Sequence, residues 1–153
     1  MKANMTDQCK FVSRENETCQ GLALGNGLCF WHDAEADKSG LNLTDKLQVY
    51  ARTGGLTKGL KLSKSNLQGI DLVNRNKSVG FDFSDSDFYR ANLKDAHLFN
   101  MTINNGSLMK ADLKGANLHC ANLEGTNLLG TKLQNAKLDN IHVGKKLIQE
   151  TLG

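Results

Sequence analysis

Ala111-Asp112-Leu113-Lys114-Gly115-Ala116-Asn117-Leu118-His119-Cys120-Ala121-Asn122-Leu123-Glu124-Gly125 says one thing three times: a small residue, an Asp or Asn, a Leu, then two variable positions. Outward from this stretch the register holds from Phe81 to Val143. Its central apolar residues are Phe83, Phe88, Leu93, Leu98, Ile103, Leu108, Leu113, Leu118, Leu123, Leu128, Leu133, Leu138 and Val143. Two positions before most of them stands a small side chain, among them Ser86, Ala91, Ala96, Gly106, Ala111, Ala116, Ala121, Thr126, Thr131 and Ala136. A period of five matches neither a helix nor a strand. It predicts a solenoid, whose units are too small to fold alone and stack on their neighbours.

The A-(D/N)-L-x-x units resemble the pentapeptide-repeat proteins. That resemblance implies a mainly β fold, a right-handed four-sided β-helix with four pentapeptides to a coil. The central residue would point inward, the small residue would sit at a corner and the other three positions would face water. Earlier units centred on Leu62, Leu67 and Leu72 read the same way. Leu72 and Phe83 are eleven positions apart instead of ten, so a one-residue bulge is expected within Arg75 to Gly80. Each end of such a rod exposes an apolar cross-section and unpaired backbone, so caps are expected elsewhere in the chain.

Length and charge set the frame. The 153 residues carry a net charge of +3 and no proline, which suits a backbone whose donors are needed in ladders. So mild a charge argues neither for a strongly basic nucleic-acid binder nor for an acidic tail. Met1-Lys2-Ala3-Asn4 leads into polar sequence without an apolar run of signal-peptide or membrane-spanning length, so a soluble cytoplasmic protein is the expectation. The organisation reads as a knob over 1–40, a capping helix and linker over 41–55, the repeats over 56–143 and a cap or linker over 144–153.

Residues 1–40 have their own grammar. Cys9, Cys19, Cys29 and His32 are spaced C-x9-C-x9-C-x2-H. Three thiolates and an imidazole complete a tetrahedral shell for structural Zn2+, with Cys29-Phe30-Trp31-His32 as a two-ligand knuckle. So small a knob has too little core to fold without a staple. A disulfide pair or buried free thiols are the alternatives, and cytosolic disulfides seldom persist. Cys-Phe-Trp-His also resembles the amino-terminal Cys/His segment of a subset of bacterial pentapeptide-repeat proteins. A closed four-ligand site keeps no place for a substrate. Phe30 and Trp31 could stack on nucleobases, but few cations lie nearby, and packing of the knob onto the rod is the favoured role. A short helical turn is expected from Asp33 to Asp37.

Thr44 is read as the cap of a helix reaching Ala51 or Arg52, with Leu47, Tyr50 and Ala51 on one face and Gly54-Gly55 as its stop. This helix is the candidate amino-terminal cap. Lys145 to Leu152 would fold over the last coil or form a homodimer seam. The abrupt close at Gly153 is read as a truncation or as the amino-terminal part of a longer family architecture. Four units per coil stack Arg90 with Lys110 and Lys94 with Lys114, a candidate anion or partner patch that Asp95 and Asp112 offset. His97, His119 and Cys120 approach one another on a neighbouring face, but three ligands on a rigid sheet rarely converge, so a second metal site is disfavoured there.

No glycine-rich phosphate loop, nucleophile elbow or zincin motif occurs, and the outward Asp and Asn recur at repeat positions, so no enzyme is expected. The leading function is a protein-interaction scaffold that meets a protein partner or a further domain of the same polypeptide. The alternative comes from the gyrase-protecting branch of the family, whose rods mimic DNA. That branch would be acidic, whereas residues 81–143 carry six basic against seven acidic side chains. Nucleic-acid binding through the knob is the third and weakest reading.

Overall fold

The computed structural model describes residues 7–144. From Asp82 onward the chain pairs with itself at a constant separation of twenty residues. Asp82 bridges Thr102, Asp87 bridges Ser107, Asn92 bridges Asp112, and the series runs to Asn122 with His142, all parallel. Twenty residues are four five-residue units, so the chain is a β-helix solenoid with four units to the coil. Neighbouring coils lie about one strand spacing apart, ~4.8 Å.

So short a unit is possible because its five donors can all find partners. In residues 91–95, Ala91 N–H donates to Phe88 O across the corner (2.9 Å), Asn92 N–H to Ser65 O of the preceding coil (2.9 Å) and Leu93 N–H to Asp112 O of the next (2.8 Å). Asp95 N–H reaches Lys114 O (2.9 Å). That leaves Lys94 N–H, which points outward and is taken by the unit's own Asn92 Oδ1 (3.2 Å). The same side-chain bond recurs at Asp87, Ser107, Asp112, Asn117, Asn122 and Asn127. Where Asp, Asn or Ser stands before the central position it caps its own turn, whereas among the described residues His97, Thr102, Lys132 and Lys137 occupy that place without such a bond. The second residue after the central one takes a left-handed φ, as at Asp95 (57°), Asn105 (59°) and Gly125 (72°), which accounts for the Gly, Asn and Asp found there.

Inward, Phe83, Phe88, Leu93, Leu98, Ile103, Leu108, Leu113, Leu118 and Leu123 are all buried, with Ser86, Ala91, Ala96, Ala111, Ala116, Ala121 and Thr126 closing the corners. Burial fades along the last coil, where Leu133, Leu138 and Val143 are only partly covered. Except for Gly144, the carboxy-terminal cap or linker expected over 144–153, with its candidate dimer seam, lies outside the described residues.

The first coil corrects the expected one-residue bulge. Lys61 bridges Asp87, Asn66 bridges Asn92 and Asp71 bridges His97, a separation of 26 residues. The coil is completed by the units of Thr57, Leu62, Leu67 and Leu72, and the chain then inserts six residues before Phe83. Eleven positions are thus one unit plus six, not two units plus one. No unit forms at 75–80 because that stretch offers no side chain for the core, and its Val79 is exposed. The loop is tied down by Arg75 Nη1 on Asp71 Oδ2 (2.8 Å) and by Asn100 Nδ2 donating to Ser78 O (3.1 Å).

The amino-terminal end is closed from two directions. Asn42 bridges Asn66, Leu43 N–H donates to Asn66 O (3.1 Å) and Lys61 N–H to Trp31 O (2.8 Å), so the preceding chain adds partial rungs beneath the first coil. Helix α1, Thr44–Arg52, then lays Leu47 and Ala51 over the apolar opening in one core with Leu60, Leu62 and Leu67. Thr44 is its first residue and not its cap. Leu43 stands in the cap position without a side-chain bond, and Thr44 N–H is taken by Asn42 Oδ1 (3.2 Å). Gln48 Oε1 accepts from Asp71 N–H (2.8 Å), and Arg52 donates to Asp71 O (2.8 Å). Burial pushes the Asp71 carboxyl up, but the Val73 N–H, Arg75 and Arg52 outweigh it and hold the group below the usual carboxylate value. The contribution of this link is complete above the ordinary carboxylate range and is lost as pH falls through the lowered folded value. Among the described residues no helix is long and apolar enough to cross a membrane.

Leu113→Ala is expected to cost ~2–5 kcal/mol by leaving a cavity, and Leu118→Asp to abolish folding. Lys114→Ala, on an outward position, should stay within about ±0.5 kcal/mol. Urea titrations of the three variants check this, and equal costs at Leu113 and Lys114 would refute the register.

Candidate metal centre

Local turns of the knob carry the four candidate ligands to one point. Cys9 and Cys19 lie on an antiparallel hairpin, in which Gln8 bridges Leu22 and Val12 bridges Thr18. Its tip is held by Ser13, whose Oγ accepts from Glu15 N–H and Glu17 N–H. Cys29 and His32 share a turn closed by His32 N–H donating to Cys29 O (3.1 Å). A further crossing, Lys10 N–H to Gly27 O (2.8 Å), brings that turn beside the hairpin.

The ligand atoms of Cys9, Cys19, Cys29 and His32 all lie within 4.8 Å of one another, and all four residues are buried. Cys19 Sγ is 3.8 Å from Cys29 Sγ, and His32 Nδ1 is 3.3 Å from Cys29 Sγ and 4.0 Å from Cys9 Sγ. A disulfide needs about 2.05 Å, and all the cysteines are free. Tetrahedral ligands about 2.3 Å from a central zinc stand roughly 3.8 Å apart, which is the spacing of this cluster.

The surroundings prepare the ligands as well as gather them. His32 Nε2–H donates to Lys58 O (2.9 Å), which leaves the Nδ1 lone pair toward the thiols, as second-shell partners of a metal-bound histidine do. Phe11 stacks on the imidazole at 4.0 Å. Cys29 N–H points at Cys9 Sγ (3.2 Å) and Gly21 N–H at Cys19 Sγ (3.3 Å), bonds that strengthen when sulfur is ionised. Burial holds His32 below its ordinary value, so it stays neutral. Burial, with Cys19 and Cys9 adding to it, pushes the Cys29 thiol up to about 12 against the opposing bond from His32. Three thiolates this close ionise together only around a cation, and a divalent metal is the natural counter-charge.

The knob is locked to the rod beside this cluster. Lys58, whose carbonyl receives His32, extends its ammonium to Glu15 (3.3 Å), Glu17 (3.1 Å) and Asp82 (3.7 Å). Burial lowers the Lys58 pKa, but these carboxylates outweigh it and raise the group above its ordinary value. Arg14 pairs with Asp85 (3.2 Å). Phe30 and Trp31 pack against the rod core, with Trp31 5.2 Å from Tyr50. Sequence reasoning missed both Lys58 and Lys38. The buried Lys38 Nζ donates to Asp33 O (2.9 Å) and lies 4.8 Å from the Phe30 ring centroid. The helical turn expected from Asp33 to Asp37 is replaced by two side-chain-closed turns, Glu35 N–H to Asp33 Oδ1 and Ser39 N–H to Asp37 Oδ1 (both 2.9 Å).

The remaining candidate residues lie on the rod. Arg90 and Lys110 share one corner column, and Lys94 and Lys114 stand on the next side, with Lys94 3.8 Å from Asp112. Asn117, not His119, is the residue that bridges His97. His119 stacks on Phe99 at 5.6 Å and lies 3.5 Å from the Asp139 carboxylate. Among the described residues only the Cys9, Cys19, Cys29 and His32 group gathers three or more such ligands, so His97, His119 and Cys120 do not close on one another.

Residues 107–142 match the family model for pentapeptide repeats, in eight copies. No curated protein sequence matches the chain. Among solved structures it is similar to HetL, a pentapeptide repeat protein involved in heterocyst differentiation regulation in the cyanobacterium Nostoc, at 24% identity over 53% of this chain and 39% of that one, TM-score 0.28. A pentapeptide repeat protein of the Arabidopsis thaliana thylakoid lumen matches at 26% identity over 58% of this chain and 57% of that one, TM-score 0.35. QnrB1, a plasmid-mediated fluoroquinolone resistance protein, matches at 13% identity over 61% of this chain and 80% of its own, TM-score 0.29. The chain thus spans 39% of the length of the first of these and 57% of the second.

Gly59 (φ 70°) faces the Phe11 ring, and a Cβ there would run into it. Gly59→Ala is therefore expected to push Phe11 off His32 and loosen the knob. Hydrogen exchange should show lost protection over 7–33 with 82–142 unchanged; unaltered protection of the knob would contradict this packing.

Proposed function

We propose that this chain, a pentapeptide-repeat protein through residues 107–142, is a non-enzymatic protein-interaction scaffold with a structural Zn2+ in its knob. The observation that supports this most is the coil-to-coil backbone ladder, which recurs at a spacing of twenty residues from Asp82 to His142. It fixes outward side chains in columns, one per position per coil, and so gives a rigid surface for a protein partner or for a further domain of the same polypeptide. Cys9, Cys19, Cys29 and His32 would hold the zinc as four protein ligands, leaving no open position for a substrate. Its work would be to fold the knob that closes the rod. The near balance of six basic and seven acidic side chains over 81–143 disfavours mimicry of DNA, which needs dense negative charge to enter a basic groove.

Protein purified without chelator is expected to carry one zinc per chain by elemental analysis, and absence of stoichiometric zinc would overturn the metal assignment. Cys19→Ser should abolish the zinc and loosen 7–40 while the β signal of the rod persists.

The scaffold reading is tested by quantitative affinity capture from the native host, using the wild type and folded variants altered on one outward side at a time. At least one partner should be lost with a single side; a partner set indifferent to every side would refute the reading. In a supercoiling assay with purified gyrase, with and without a quinolone, the protein should change nothing. Salt-sensitive inhibition or protection at low micromolar protein would install the topoisomerase alternative instead.

A further inference from the structure

At the left-handed corner position, Gly, Asn or Asp is the usual occupant, as at Gly69, Asp85, Asp95, Asn100, Asn105, Gly115, Gly125, Gly130, Asn135 and Asn140. Lys64 (φ 61°), Arg90 (56°), Lys110 (58°) and Cys120 (62°) are the exceptions. Three of these four stand in one column. Lys64 N–H donates to Tyr89 O (2.7 Å), Arg90 N–H to Met109 O (3.0 Å) and Lys110 N–H to Leu129 O (2.9 Å). The inserted six residues bring Lys64 into this line, which a strict period of twenty would not. The fold has no need of long cations at a position where glycine is less strained, and Gly130 fills the same column one coil further on.

Beside the cations runs an apolar column of Tyr89, Met109 and Leu129, offset by one coil: Tyr89 and Met109 precede Arg90 and Lys110, Leu129 precedes Gly130, and the neighbour of Lys64 is Ser63. Leu129 is 56% exposed, and Tyr89 and Met109 are half-buried. Arg90 lies 5.3 Å from the Tyr89 ring centroid. Around the corner Lys94 and Lys114 extend the positive edge. Of the nearby carboxylates, Asp112 is engaged by Lys94 (3.8 Å), Asp87 Oδ1 accepts the Tyr89 N–H (2.9 Å), and Glu35 and Asp37 line a depression beside Lys64 at the end of the column. Among the described residues Lys64, Arg90, Lys110 and Lys114 make no ion pair.

We infer that this edge, the Tyr89–Met109–Leu129 column flanked by Lys64, Arg90, Lys110, Lys94 and Lys114, is the docking site of the scaffold. It takes an acidic segment of another protein that carries apolar anchor residues. The inference rests on the scaffold reading above. Charge complementarity selects an acidic partner, and the adjoining apolar column selects one with Leu, Phe or Trp among its carboxylates. A nucleic acid fits less well, because Tyr89 is the one stacking surface of the column and Asp87, Asp95 and Asp112 stand among the cations.

The test selects a random peptide display library on the intact protein and measures the enriched peptides, made with a fluorescent label, by anisotropy. They should be rich in Asp and Glu with interspersed large apolar residues. Affinity should fall by about tenfold or more in the Arg90→Gly/Lys110→Gly double variant and in Met109→Asp, and by less than about twofold in Glu124→Lys on another side. The glycine variants relieve the left-handed strain, so their thermal midpoint should equal or exceed that of the wild type, which separates loss of binding from loss of fold. Peptides that bind but are displaced only by changes on other sides would overturn this edge and leave the scaffold reading standing. Failure to enrich any peptide on folded protein would count against both. A labelled single-stranded oligonucleotide that binds more tightly than the peptides, and is lost in the same variants, would replace the acidic segment with a nucleic acid.

Discussion

The amide that faces outward after each central residue is the constraint on which the rod depends. A chain that turns a corner every five residues leaves that N–H with no coil above or below to receive it. In most units an Asp, Asn or Ser two positions earlier supplies the acceptor, as Asp112 does for Lys114 and Asn122 for Glu124, and the units of His97 and Thr102 go without it. Once this donor is satisfied locally, the others fall into register with the neighbouring coils, and the apolar residues have no direction left but inward. The polar residue of the repeat is thus structural although it faces outward, since it closes the turn and takes the amide without calling on water.

The same logic explains how far the sequence could be read. Inward residues from Phe83 to Leu128 were legible because period and composition agree at every unit. The Cys9, Cys19, Cys29 and His32 cluster was legible because few residue types can serve as soft metal ligands. The insertion after Leu72 was not, because eleven positions divide equally well into two units plus one residue or one unit plus six. Only the partners of Lys61, Asn66 and Asp71 in the next coil decide between them. Lys58 and Lys38 gave no signal, since their importance comes from carbonyls and carboxylates distant in sequence. Reading Thr44 as the cap sets the helix start one residue late, because Leu43 in the cap position carries no capping side chain and so gives no signal.

Lys58 shows how the two parts of the molecule constrain each other. Its carbonyl fixes the tautomer of His32, and its ammonium joins Glu15 and Glu17 of the hairpin to Asp82 at the start of the second coil. Geometry at the thiol cluster and register at the first coil therefore share one residue. The knob cannot shift without disturbing the chain that follows Gly55, and that chain includes Thr57, the inward residue that begins the first coil. Such sharing suits a cap: the apolar opening covered by Leu47 and Ala51 stays covered only while the segment on either side of α1 is held.

Because the corner position tolerates only a left-handed backbone, the rod imposes its own test of what each corner residue is for. The usual Gly, Asn or Asp is absent at Lys64, Arg90 and Lys110. There the side chain makes no hydrogen bond or ion pair among the described residues, Arg90 touching only the Tyr89 ring, and the left-handed conformation of a bulky residue costs roughly 1–2 kcal/mol. A single such residue could be incidental strain. Three in one column, on consecutive coils and beside the exposed Leu129, place the same strain along one edge of the rod, where cations and apolar side chains meet and the fold itself gains nothing from the cations. In a repeat surface, where most positions are set by the ladder, departures from the repeat's own rule are the residues free to carry specificity.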